Sequence, residues 1–585
     1  MDAVPTAAGQ KLQHSERPMG MSGSNDSMTI LEAADPRNAD ELLLESLGYK
    51  QEMKRDISLV STFAIAFGCC SILSGLTPLW GSAMTSGGSV AVIWGWITVS
   101  IFTFLVGLSL AEICSAYPVT GGLYIWVSRL APQEWVPIMC WLTGWFNWLG
   151  LTVAITSADL GISQYIASII AINNPDYNAS VYWQYGIFLV ILLAHGMINS
   201  MHIKYNGVFN QASLWWHIIG TLLIITVALA LTPNKPSAKW VFSFFENDTG
   251  FPDGYAFFIG LLQCQYTLSG YDSAAHMSEE TKGAAKGAPF GILLSIGTAS
   301  IVGLAFLLAV NFCVQDFSRQ IVNASITPEM TQVFLDGVGY NWTIVFVTII
   351  MGAMFFSGSA LTLGSSRMVF AFARDGAMPW SKYLYRLNKW THAPVYAVWG
   401  NIIFAAIVGL LYIINDTAFS AIVSVNTIAS SLAYLIPITL KFTVARNKFK
   451  RGPFHLGPFS DVINFIAIVW IIFTSALFVC PTEAPVTALN MNYAIVVLSF
   501  VIFLSVSYYM FSAKRWFKGP KQISVEEQER EKELATLSGD EKQKNNGYLQ
   551  PYSGSSDEIP DSPDNKNFKG VEVEDADEDR SFLDL

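Results

Sequence analysis

Charged residues are scarce in this chain and unevenly placed. They make up 14% of its 585 residues, against about 25% in an ordinary soluble domain. Residues 57–110 contain no Lys, Arg, Asp or Glu. A stretch of that length is too long for a core helix and matches two bilayer crossings of about 20 residues each. Cysteine is also sparse. Its seven positions (69, 70, 114, 140, 264, 313 and 480) show no CxxC spacing, so no disulfide framework, zinc site or redox site is expected. HExxH, GxxxxGK[ST] and any nucleophile–His–acid order are missing. That argues against an enzyme and against ATP-driven work, and no catalytic residue, metal or cofactor is expected. No basic patch interleaved with aromatics stands apart from membrane-flanking loops, so nucleic acid is not an expected partner. The first 55 or so residues lack the basic-then-apolar form of a cleavable leader, and the first apolar run is expected to serve as the insertion signal.

What is abundant is apolar sequence, 52% of the chain. It falls into twelve runs, near 57–80, 90–110, 135–168, 183–203, 208–231, 254–275, 288–313, 342–366, 395–414, 418–440, 459–480 and 493–512. The expected fold is an all-α membrane protein with twelve transmembrane helices over 57–512. The third run is long and must tilt or project. Residues 1–56 read as a mostly disordered tail with an amphipathic stretch near 39–55, and 513–585 as a disordered acidic tail. Ser555, Ser556 and Ser562 look modifiable, and the tails are expected to meet trafficking or ubiquitination machinery.

Lys and Arg fix the expected orientation. If residue 1 lies inside, the inner loops hold fourteen (Arg129, Lys204, Lys282, Lys286, Arg367, Arg374, Lys382, Arg386, Lys389, Lys441, Arg446, Lys448, Lys450 and Arg451) and the outer loops three (Lys235, Lys239 and Arg319). Both tails are then cytoplasmic. Five sequons, at Asn178, Asn247, Asn323, Asn341 and Asn415, all fall in loops assigned outside and are candidate glycosylation sites.

Two runs, the first and the sixth, are interrupted by Ser and Gly at membrane depth: Leu73-Ser74-Gly75-Leu76-Thr77 and Leu268-Ser269-Gly270-Tyr271-Asp272. Broken helices expose main-chain groups that lipid cannot satisfy. A matched pair of Gly-interrupted spans points to a transporter binding site, although helix kinks or close helix contacts give the same pattern. A half-helix starting after Gly75 would offer N–H groups to a carboxylate. Carbonyls ending the first half of the sixth run would suit an ammonium group. Ser74, Gly75, Leu76, Thr77, Ser269, Gly270, Tyr271 and Asp272 are therefore the expected binding residues. Ser74 and Thr77 have the alternative of bonding back to their own turn.

Asp272 has two functional readings and one structural one. It could face a substrate cation, take up a proton, or cap the following half-helix. Glu112, Asp159 and His217 are further proton-coupling candidates, each also able to serve as a structural partner. No cage of carboxylates suits sodium, although Ser357, Ser359 and Thr362 could supply oxygens. Trp135, Trp141, Trp145 and Trp148 crowd the third run, where packing or cation stacking would use them. Arg374-Asp375-Gly376 reads as a helix stop with local charge pairing.

Several segments resemble the amino acid–polyamine–organocation transporters, and more closely their fungal amino acid/choline branch, which includes GABA permeases. They are Leu47-Gly48-Tyr49-Lys50-Gln51-Glu52, Ala111 through Tyr124 (AEICSAYPVTGGLY), Gly270-Tyr271-Asp272 with His276-Met277-Ser278-Glu279-Glu280-Thr281, Arg374 through Pro379, and Pro394-Val395. The resemblance implies a leucine-transporter-like fold, in which spans 1–5 and 6–10 form an inverted repeat and two peripheral spans follow. It also implies alternating access around broken spans 1 and 6, and proton-linked uptake of amino acids or GABA. Ser71 to Thr77 departs from the Gly-rich first break common in that superfamily. Choline, polyamine or thiamine-like cations are therefore an alternative cargo. A nutrient sensor signalling through the tails is the reading from another class. The plasma membrane is the default location, with vacuolar or other endomembranes as alternatives.

Overall fold

In a computed structural model of the chain, the described residues are Glu41, Leu44, Leu47, Arg55 and 57–520, apart from 175, 176, 178, 415–417, 488 and 489. The two expected tails lie almost wholly outside them, as do Asn178 and Asn415. The described residues form no strand. A single two-residue bridge joins Ile57 to Thr281.

Eleven helices among the described residues are long and apolar enough to cross a membrane. Helices are numbered here in chain order. The first crossing is split into α1 (Leu59–Cys69) and α2 (Ile72–Leu76). α3 (Trp80–Ala116) is kinked at Gly87 and Gly88, so Trp80–Ser86 stands apart from the second crossing. A short α4 (Leu123–Leu130) precedes α5 (Val136–Asn173), whose 38 residues account for the long third run. α6 (Val181–Asn199) and α7 (Ile203–Leu231) follow. The sixth run is divided into α8 (Asp253–Thr267) and α9 (Ser273–His276), each too short to span alone. The remainder is α10 (Ala284–Asn311), α11 (Glu329–Val338) in a connection, α12 (Tyr340–Arg374), α13 (Val395–Gly409), α14 (Leu411–Ile414), α15 (Ala418–Phe442), α16 (Ser460–Leu477) and α17 (Ala494–Phe511).

Packing repeats with an offset of five runs. α8 packs on α3 as α10 packs on α1, and α15 packs on α5 as α12 packs on α7. α5 meets α6 as α12 meets α13, and α12 meets α6 as α13 meets α5. Successive crossings alternate in direction, so an odd offset relates elements running oppositely. That is the geometry of an inverted repeat.

The first break is not at Gly75. α1 closes at Cys70, whose amide reaches Ala66 O at 3.0 Å. Ser71 is extended and caps α2, its Oγ accepting the Ser74 amide at 3.1 Å. Gly75 sits inside α2, with its amide on Ser71 O at 2.9 Å. Its role is close approach: a Cβ there would lie 2.7 Å from the Thr267 Cα on α8. Pro78, which has no N–H, lies in the turn after α2. The second break falls where expected. Gly270 has φ +82, a left-handed conformation that glycine adopts freely, and packs on Cys69.

One end of the bundle is closed by buried ion pairs. Arg367 Nε meets Glu280 Oε1 at 3.0 Å and Arg374 Nη2 meets Glu279 Oε1 at 3.4 Å. Arg55 Nη1 donates to Thr281 O at 2.9 Å, and Tyr124 OH donates to Asp375 Oδ2 at 2.8 Å. The Arg374-Asp375-Gly376 stop is present, with Gly376 at φ +83. Its charges also reach Glu279 and Tyr124, so the pairing extends beyond the local turn.

Candidate substrate cavity and proton groups

A cavity of about 10 Å³ lies between the two breaks, enough for about one water and too small for an amino acid. α1 and α2 contribute Cys69, Ser71, Ser74 and Gly75; α8 and the second break contribute Tyr266, Thr267 and Ser269. Ala154, Ser357, Leu361 and Asn426 enter from α5, α12 and α15. Polar side chains dominate the lining, and Asn426 Nδ2 donates to Ser269 Oγ at 3.4 Å. Above it, toward the end of the bundle opposite the ion pairs, lies a second cavity of about 380 Å³, bordered by Ser82, Ser86, Asp248, Gln263, Ser424 and Asn492. Gln263 borders this second cavity. Its Nε2 donates to Leu76 O at 2.9 Å, one residue from the Gly75–Thr267 contact. The structure is therefore occluded at the centre, hollow toward one end and sealed at the other.

Of the expected binding residues, Ser74, Gly75 and Ser269 line the central cavity. Thr77 instead bonds back to Leu73 O at 2.7 Å. Leu76, Gly270, Tyr271 and Asp272 do not line the cavity. Tyr271 stacks near Tyr434, with ring centroids 5.3 Å apart. α2 has only five residues. A macrodipole is a sum over aligned peptides, so the expected dipole cradle for a carboxylate is weak. Of the suggested sodium oxygens, Ser357 faces the cavity, Thr362 bonds Gly358 O at 2.8 Å and Ser359 accepts from Asn199 at 3.2 Å.

Asp272 is buried and surrounded by protein donors. Tyr434 OH donates to Oδ1 at 2.7 Å and Asn147 Nδ2 to Oδ2 at 2.9 Å, with His276 Nε2 at 3.2 Å from Oδ2. Its side chain makes no cap to α9, which removes the capping reading. His217 reaches the first break: its Nδ1 meets Ser213 O at 2.8 Å and its Nε2 meets Ser71 Oγ at 2.7 Å. A carbonyl cannot donate, so Nδ1 carries the hydrogen and Nε2 accepts from Ser71. Asp159 pairs with His195 Nδ1 at 3.1 Å. Glu112 pairs with buried Lys441 and also takes Ser460 Oγ at 2.6 Å and the Leu456 amide at 3.1 Å, tying α3 to α15 and α16. Trp141 and Trp148 go to packing, whereas the Trp145 Nε1 is buried with no hydrogen-bond partner among the described residues. Trp141 Nε1 bonds Ser505 Oγ at 2.9 Å and Trp148 Nε1 bonds Asn401 at 2.7 Å, while Trp135 is exposed.

Sequence reasoning missed His195, Asn147, Tyr434, Tyr266 and Asn426. His276, four residues beyond Asp272, was legible as a helical i,i+4 partner. Tyr266 stands beside the second break, its carbonyl accepting from Ser269 Oγ at 2.6 Å, while His195, Asn147, Tyr434 and Asn426 meet their partners only through contacts far apart in the chain.

Broken helices around an occluded polar cavity, inside a multi-pass membrane bundle, define a transporter that carries a small molecule. Residues 57–501 match the amino acid permease family, and the chain belongs to it. It is 36% identical over 520 residues to the amino-acid permease BAT1 of Arabidopsis thaliana, covering 86% of this chain and 99% of that one. It is 29% identical to amino-acid permease 2 of Neurospora crassa, over 86% and 93% of the two chains. It is also 29% identical to the GABA-specific permease of Saccharomyces cerevisiae, over 84% and 87%.

Proposed function

We propose that this permease takes up amino acids, GABA among them, by proton-driven alternating access through the cavity between the two breaks. The observation that carries this reading is the cavity itself. Groups from both broken crossings meet there, and a larger hollow lies toward one end. In this reading Ser74 and Asn426 receive the carboxylate, while carbonyls at the end of α8 and the Tyr266 ring receive the ammonium group. Asp272 is occupied by protein donors, which disfavours a cation that needs its own counter-ion and so favours an amino acid over choline, a polyamine or thiamine.

The sealed end is taken as cytoplasmic, with both tails on that side, because most loop Lys and Arg residues lie there. Asn247, Asn323 and Asn341 then lie outside; Asp248 and Val322, their neighbours, border the larger hollow. A body of twelve crossings between the two tails at the plasma membrane completes the reading. An apolar cleft of about 410 Å³, bordered by Val153, Val408, Leu411 and Val496, suits lipid chains. The tails are the place for trafficking partners.

The test is uptake of labelled GABA into cells lacking their own permeases, at acid and at neutral pH, with amino acids, choline, spermidine and thiamine as competitors. Acid-stimulated uptake competed by amino acids is expected. Flux of choline, spermidine or thiamine with no amino acid flux would overturn the substrate reading.

A further inference from the structure

Two buried Asp–His pairs in this bundle share one hydrogen-bond pattern. In each, one ring nitrogen faces a main-chain carbonyl: His276 Nδ1 lies 3.0 Å from Thr120 O, and His195 Nε2 lies 2.9 Å from Phe355 O. A carbonyl only accepts, so that nitrogen carries a hydrogen in both pairs. The other nitrogen faces a carboxyl oxygen, Asp272 Oδ2 at 3.2 Å and Asp159 Oδ2 at 3.1 Å. A neutral imidazole has one N–H, and it is already used. A hydrogen bond across either pair therefore requires one proton beyond a neutral ring and a carboxylate. That proton belongs to the pair as a unit.

The surroundings place it differently in the two. Asp272 receives Tyr434 OH and Asn147 Nδ2, donors that favour an anion, so His276 holds the proton as imidazolium. Asp159 Oδ1 is buried with no hydrogen-bond partner and lies against Gly358. An anion there would be expensive, so Asp159 is the neutral acid and donates to His195.

We infer that the Asp272–His276 pair is the reversible proton-binding site of this transporter, and that Asp159–His195 is a brace that keeps its proton. The inference rests on the proton-driven reading above and assigns its site. The first pair stands at the moving part of the fold. α9 is one turn long, follows the second break, and is held by His276 to the Thr120 loop and by Asp272 to α5 and α15. Glu279, just beyond, is close to the Thr120 amide at 3.4 Å and is held by Arg374 of α12. α1 presents the thiols of Cys69 and Cys70 to Asp272, and α10 meets α9 at Gly291. With the proton bound, α9 closes the ion-paired end. When the proton leaves, the bare Nε2 lone pair of His276 faces the Asp272 carboxylate. The bond is lost, and the Thr120 loop, held by His276, is uncoupled from α5 and α15, which stay bonded to Asp272. The only bond made and broken is the His276 Nε2–H bond; one proton enters with the substrate and leaves with it. The second pair joins α5, α6 and α12.

The full chain, reconstituted in vesicles, is assayed for labelled GABA uptake over a range of external pH. His276→Gln is expected to bring the acid-to-neutral uptake ratio of whatever flux remains to about 1, because a group that no longer titrates contributes no pH slope. A variant with the wild-type ratio would overturn the assignment. If that variant does not fold, Tyr434→Phe carries the test. Losing one donor penalises the uncompensated carboxylate most, so the midpoint of the pH profile should rise by about one unit. An unmoved midpoint would overturn the site equally. Asp159→Asn supplies an N–H in place of the acid O–H and is expected to keep the acid stimulation; loss of it there would move the site to the other pair. The wild type separates this claim from the functional reading. If it moves another amino acid but not GABA, only the GABA reading falls, and the variants are assayed on that amino acid. If its flux ignores pH, both the proton drive and the pair fall.

Discussion

Gly75 shows how much of the site is decided by single atoms. It has no need of an unusual backbone, because α2 is helical through it. What it provides is space for Thr267, and a Cβ would lie 2.5 Å from the Thr267 Oγ1. Gly75→Ala should destabilise the folded protein by about 1–3 kcal/mol, the range for overpacking, read as a lower midpoint of thermal unfolding in detergent. Gly75→Leu should also force α2 and α8 apart and abolish uptake; wild-type substrate affinity in that variant would remove this contact from the site. Glu329, at the start of α11 outside the crossings, offers a pH test. Burial pushes its carboxyl above the ordinary range, so its contribution to stability is present at acid pH and lost as pH rises through the folded value. Glu329→Gln should therefore match the wild type in acid and unfold at a higher temperature near neutrality. At this scale legibility depended on local information. Asp272 was visible because a carboxylate at membrane depth is costly; His276 was named only within a motif, and its pairing with Asp272 went unread although it follows by four. Tyr434 and Asn147 were not visible: they sit 162 and 125 residues from Asp272, and nothing in their own neighbourhoods marks them.

Among elements, the second break was readable and the first was misplaced by about one helical turn. Gly270 is in the left-handed region, the conformation its residue type suggests. At the first break Ser71 ends one helix and caps the next with no glycine, while the glycine nearby serves a helix crossing. Both uses leave the same mark in a sequence. The ion-paired end makes a separate prediction. Arg367 and Glu280 are 1% and 3% exposed, so Arg367→Met strands a buried carboxylate and should cost about 3–5 kcal/mol. Adding Glu280→Gln should recover most of that loss. Equal unfolding midpoints for the single and double variants would show that the pair is not coupled. Because the same pair closes one end, the double variant should also populate the state open at that end, read as faster labelling of a cysteine introduced beside it.

Across the whole molecule, the fold class was legible because bilayer thickness imposes its length on apolar runs. The five-run offset could be seen only as two similar interruptions until the packing pairs repeated around it. Among the described residues eleven helices are long enough to cross, and the divided sixth run is not one of them because neither α8 nor α9 has the length. The central claim is that an amino acid sits between the two breaks, with the cavity enlarged around it. The most direct measurement is the structure of the full chain in a lipid disc with the amino acid that uptake identifies. The account predicts density touching Ser74 and Asn426. Density confined to the larger hollow or the apolar cleft, with the central cavity unchanged at about 10 Å³, would contradict it.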